Sequence, residues 1–136
     1  MIAKILISLG VLVYMVLIPY LEMNASHVFN PQWPGHARLH EVWQLTTNIS
    51  LGLVALWLSW KEQRIQMAAV ISICVMGGVL VAHMSEGLYE GTLLSGNIAR
   101  TVLGLELAAF VALVVVILSV VAILIDRRAR LHQSIT

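Results

Sequence analysis

Four stretches of this chain are too apolar, over too great a length, to be left in water. Residues 2–21, 34–60, 66–84 and 97–125 each hold a run close to the roughly 20 residues that a helix needs to cross a bilayer. Hydrocarbon offers the backbone no hydrogen bonds, and a helix supplies them all from within one segment. The 136 residues therefore read as one domain of the all-α class, an integral-membrane four-helix bundle. Composition agrees: 60% of the residues are hydrophobic and 11% charged, against about 45–50% and about 25% in soluble domains. Residues 2–21 read as a span and not a signal peptide, because no small-x-small cleavage site follows them. Met76, Gly77 and Gly78 read as residues that let helices approach closely. Cys74, the single cysteine, reads as a packing residue.

The short link Lys61-Glu62-Gln63-Arg64 makes the second and third segments an antiparallel hairpin. With four spans, Lys4, Lys61, Arg64, Arg127, Arg128 and Arg130 fall on one side, and Arg38 and Arg100 on the other. Positive charge accumulates on the cytoplasmic side, so both termini are expected there. The histidine-rich loop after the first segment, and the loop over residues 86–96, then lie on the non-cytoplasmic side of a multi-pass protein. Trp33, Trp43, Trp57 and Trp60 suit the two membrane interfaces. Membrane lipid is thus one expected partner. With a net charge of +1 and no basic run interleaved with aromatics, nothing points to nucleic acid.

Chemistry is concentrated in one stretch. His27, His36 and His40, three of the five histidines, lie close together, and Pro34 suits the first turn of a helix. From there His36, His40, Gln44, Thr47 and Asn48 recur at helical spacing and are expected to face the bundle. The third segment ends with His83, Glu86 and Glu90 on one face, if the helix persists that far, and with Tyr89 in the same turn. Glu106 is placed about two turns into the fourth segment. A carboxylate facing hydrocarbon is costly, so Glu106 should point inward, toward Arg100 or the histidines. Together with Tyr20, Glu22, Asn97 and Arg100, these residues are expected to converge on the outer half of the bundle.

Two kinds of chemistry follow. His36 and His40 at i, i+4 can chelate a metal from one helix, with His27 and His83 as further ligands. The bland alternative is an interfacial histidine cluster hydrogen-bonded to Glu86 or Glu90. Without a metal, His40, Glu86 and Glu106 can serve as acid and base in a water-poor site. Asn48 fits interhelical hydrogen bonding and substrate contact equally.

At Ala37-Arg38-Leu39-His40 the chain resembles the styrene oxide isomerase family of small four-span membrane enzymes, in which an Ala-Arg-x-His stretch opens the second span. Gly87-Leu88-Tyr89 is similar to that family's Gly-Phe-Tyr. The resemblance covers the four-span layout and these two short motifs. It implies a homo-oligomer, a trimer, binding haem b, with His40 in the position of the iron-binding histidine. It also implies a ferric iron acting as Lewis acid on an epoxide oxygen, a migration that gives an aldehyde, and Tyr89 helping to position the substrate. The family asparagine, six residues beyond the ligand histidine, falls on Thr46, with Asn48 two further on. His36 and His40 cannot both bind one haem iron from opposite faces, so one would ligate and the other support it. A non-haem transition-metal site would instead gather His27, His36, His40 or His83 with a carboxylate.

Three expectations result. The first is an isomerase acting on a small lipophilic, epoxide-like substrate by haem or metal Lewis-acid chemistry. In it His40 and His36 bind the cofactor, and Tyr89, Asn48, Glu86 and Glu106 line the reaction site. The second is a metal-free acid–base isomerase or hydrolase. The third is a non-catalytic metal- or haem-binding accessory subunit.

Overall fold

The computed structural model describes residues 1–94 and 100–133, and the chain is of the all-α class apart from one small hairpin. Helix α1 spans Ile2–Glu22 and contains a π turn at Val13–Leu17, where the Ile18 N–H donates to the Val13 carbonyl. Pro19 follows directly. A proline cannot donate to the carbonyl four residues back, and a widened preceding turn accommodates that loss. Helix α2 is Gly35–Trp60 and α3 is Ile65–Ser85, which tightens into one 3-10 turn at Glu86–Leu88. Strands β1, Thr101–Val102, and β2, Leu105–Glu106, pair antiparallel before α4, Leu107–Gln133.

The fourth segment therefore departs from its expected course. Its helix begins at Leu107, and Glu106 closes the hairpin instead of lying two turns inside a helix. Leu103 and Gly104 adopt φ of 53° and 83°, the pair of positive values that a two-residue hairpin turn demands. The Leu107 N–H then donates to the Arg100 carbonyl and seats the hairpin on the helix start. Asn97 lies outside the described residues.

Among the described residues, three helices are long and apolar enough to cross a membrane: α1, α3 with its 3-10 turn, and α4. Helix α2 is not among them, because its first fourteen residues carry His36, Arg38, His40, Glu41, Gln44 and Asn48. The outer faces of the other helices are apolar. Ile5, Leu9, Leu12 and Val16 of α1, and Ile117, Val120, Val121 and Leu124 of α4, are all exposed.

The interior is built from small residues. Ala3, Ala55, Ala68, Ala69, Ala112 and Ala122 are buried together with Ser59, Ser72 and Ser119. Small side chains let helix backbones approach, which is how association proceeds where lipid removes the usual hydrophobic drive. The tightest helix-to-helix approaches at glycines are at two that the sequence did not single out. A Cβ on Gly10 would stand 3.0 Å from the Val115 side chain, and one on Gly52 would stand 2.8 Å from the Cβ of Met15. No described atom lies within 4 Å of such a Cβ on Gly77 or Gly78, so these two are not close-packing positions. Tyr14, fully buried, finds its polar partner in Ser72 at 3.3 Å, consistent with the rule that buried hydroxyls pair.

Contacts of charged and aromatic groups tie one end of the bundle together. Lys4 sits 5.3 Å over the Trp60 ring, Trp60 donates to Ser8 at 3.0 Å, and Arg130 donates to the Gln63 carbonyl at 2.9 Å. Gln66 also reaches Asp126 across the helices, at 3.2 Å. The start of α1, the α2–α3 link and the end of α4 thus share one end of the bundle. The histidine loop, the end of α3 and the hairpin occupy the other.

Candidate functional site

At that second end all four helices enclose a cavity of about 600 Å³. Its wall is apolar: Val13, Leu17, Ile18 and Leu21 from α1, Met76 and Val79 from α3, Val111 from α4. Into this wall project Glu22, His27, Glu41, Gln44, Asn48 and Glu106. Thr92 adds a hydroxyl from the loop beyond α3. An apolar cleft with a few convergent polar groups is the usual form of a small-molecule site.

The loop from 23 to 34 is held by its own side chains, and this places His27. The Asn24 side chain accepts from the Ser26 N–H at 2.7 Å and from the Ser26 hydroxyl at 2.6 Å. Asn30 does the same for the N–H of Gln32, at 2.9 Å. Such turns are what asparagine side chains favour. His27 Nε2 then meets the Glu22 carboxylate at 2.8 Å, and Nδ1 meets the Ser26 hydroxyl at 2.8 Å. The Trp33 ring packs edge-on at 5.6 Å. Both ring nitrogens are engaged, so the imidazole orientation is fixed where it borders the cavity.

On α2 the inward face differs from the expected one. Glu41, Gln44 and Asn48 line the cavity, whereas His36 and His40 do not. The two histidines meet each other, Nε2 to Nε2, at 2.9 Å, and the His40 ring stacks on Trp43. The reason is geometric. Each step of four residues turns the helix by about 40° beyond a full turn, so a stripe running from His36 to Asn48 drifts by about 120°. Gln44 and Asn48 reach the cavity, although Gln44 stays exposed, and His36 and His40 have rotated away from it. Glu41 was missed, although its i, i+3, i+7 spacing with Gln44 and Asn48 marks a single face. It stands close enough to Glu22 and His27 to feel both charges.

The end of α3 supplies a second cluster. His83 Nδ1 lies 3.1 Å from a Glu86 carboxylate oxygen. One ligand atom each from His83, Glu86 and Glu106 all lie within 4.8 Å of one another. Glu106 Oε2 is buried without a hydrogen-bond partner among the described residues. Glu106 does point inward as expected, and its neighbour there is His83; Arg100 is exposed and makes no ion pair among the described residues. Glu90 has left the helix with φ of 57° and is exposed, so it does not share the His83 and Glu86 face. The Tyr89 hydroxyl donates to the Ala82 carbonyl at 2.6 Å, and its ring lies where a Cβ on Gly91 would otherwise be. Tyr89 is 57% exposed and Tyr20 is 80% exposed, and neither lines the cavity. No protein-family model, curated protein or solved structure matches the chain.

Proposed function

We propose that this chain is a multi-pass membrane isomerase that takes a small lipophilic substrate, epoxide-like in chemistry, into the cavity between its four helices. The observation that carries this reading is the cavity itself: an apolar wall drawn from the helices, with carboxylates, an imidazole and two amides aimed into it.

In this reading α2 is the fourth span. Its 26 residues extend to about 39 Å at 1.5 Å per residue, against a hydrocarbon core about 30 Å thick. The polar first turns then stand in and just below the outer interface, and the stretch from Leu45 to Trp60, about 24 Å long at the same rise, supplies most of the crossing. The end holding Lys4, Lys61, Arg64 and Arg127 faces the cytoplasm, and the cavity opens on the opposite side or into the outer leaflet.

The chemistry proposed is acid–base. A carboxylic acid in the cavity donates a proton to the ring oxygen as the C–O bond breaks. A hydride shifts to the electron-poor carbon, and the hydroxyl proton returns to the carboxylate as the carbonyl forms. Atoms balance without a co-substrate. In this reading Glu41 carries the proton, Gln44 and Asn48 hold the oxygen, and the His27–Glu22 pair lies beside them in the same cavity.

Haem is not part of this proposal. His40 stands outside the cavity with Nε2 facing His36 and its ring on Trp43, and His27 has both nitrogens engaged. The resemblance at Ala37-Arg38-Leu39-His40 contributes the substrate class alone.

The test is turnover of a panel of small lipophilic epoxides by protein reconstituted in liposomes, read as carbonyl product. Wild-type protein should convert at least one member, and Glu41→Gln should abolish conversion without changing elution in detergent. Equal conversion by Glu41→Gln, or no conversion of any panel member, would overturn the reading.

A further inference from the structure

We infer that His83, Glu86 and Glu106 form a divalent transition-metal site at the rim of the cavity. Three observations carry it. The three donor atoms lie within 4.8 Å of one another, although Glu106 is contributed by the hairpin and the other two by the end of α3. His83 Nδ1 and the Glu86 oxygen are 3.1 Å apart, close to the roughly 3 Å between adjacent ligands of a metal bound at about 2.1 Å. And Glu106 Oε2 is shut off from solvent with no hydrogen-bond partner among the described residues. An oxygen in that condition gives up solvation for nothing unless a cation or a proton completes it.

The donor set selects the ion. One imidazole and two carboxylates suit zinc, iron(II), manganese(II) or cobalt(II), and the lack of a thiolate disfavours softer ions. Drawing Glu106 onto the metal needs a shift on the order of 1 Å at its carboxylate, within what one side-chain rotation gives. Three protein ligands leave coordination positions open, and Glu106 itself borders the cavity. A metal held there can polarise an oxygen on a bound substrate. That use rests on the epoxide reading; the existence of the site does not.

The His36–His40 pair is a second place where a surface could take up metal, so the test is run without it. Protein carrying His36→Ala and His40→Ala is stripped with chelator in detergent and titrated with cobalt(II). The visible ligand-field bands and calorimetry are followed, with no substrate present. One equivalent should bind. Glu106→Gln and His83→Ala, added separately, should each weaken binding by at least the 10- to 100-fold seen when mere supporting groups of metal sites are removed, about 10-fold as the minimum. Elution volume and helical circular dichroism check folding, and Glu86→Gln serves as the third variant should His83→Ala fail to fold. No cobalt binding in the double-alanine background, or binding that Glu106→Gln leaves unchanged, overturns the inference. Because the readout is metal alone, failure of the epoxide assay leaves this result standing, and the reverse also holds.

Discussion

Gly52→Ala tests how the cavity is framed. Gly52 lies on α2 one turn beyond Asn48, and it packs on Met15 inside the π turn of α1. An alanine Cβ would come within 2.8 Å of Met15 Cβ, 2.9 Å of Cγ and 3.0 Å of Sδ. Rotating the methionine moves Cγ and Sδ but not Cβ, so the backbones must part. Overpacking of this kind costs about 1–3 kcal/mol. Against it stands the gain of about 1 kcal/mol when alanine replaces glycine inside a helix. Gly77→Ala is the control, since no described atom lies within 4 Å of its added Cβ. The control should be neutral to stabilising by up to about 1 kcal/mol, leaving Gly52→Ala lower than Gly77→Ala by about 1–3 kcal/mol. Reversible denaturation of both variants in the same detergent measures the gap. Val13 and Leu17 border both the π turn and the cavity, so Gly52→Ala should also lower epoxide turnover, by displacing the wall. Equal stability of the two variants would refute the packing argument and the close α1–α2 approach with it.

Three further outcomes are expected. His27→Ala leaves the largely buried Glu22 carboxylate without its 2.8 Å partner, and stability should fall by about 1–3 kcal/mol; a denaturation midpoint equal to wild type would remove the pair from the framework. Tyr89→Phe deletes one hydrogen bond to the Ala82 carbonyl and should cost about 0.5–1.5 kcal/mol while leaving turnover in place, whereas loss of turnover at unchanged stability would bring Tyr89 into the chemistry. A reporter fused after Thr136 should read cytoplasmic, as the grouping of Lys4, Lys61, Arg64 and Arg130 at one end requires; an outside signal would invert the orientation and place the cavity toward the cytoplasm.

The sequence alone determined the class and the length scale. Runs of apolar residues near span length dictate helices, because a backbone in hydrocarbon must bond to itself. The four-residue link dictates that α2 and α3 are antiparallel, and the positions of lysine and arginine assign the three basic segments to one end. The inward aim of Glu106 was also legible, since a carboxylate cannot rest against lipid. What the sequence did not determine is which part of a polar helix faces in. His36, His40, Gln44 and Asn48 form one stripe on paper, but the residual 40° or so per step carries the first two out of the bundle and brings Glu41 in. The π turn at Val13–Leu17 and the hairpin at Thr101–Glu106 escaped as well, each a local response to one residue, Pro19 or Gly104, whose consequence depends on what it packs against. Glu106 and His83 are 23 residues apart in the chain, and only the docking of the hairpin on the end of α3 makes them neighbours. That meeting, which creates the rim cluster, is a property of the tertiary structure, because no periodicity within one segment specifies where another segment will land.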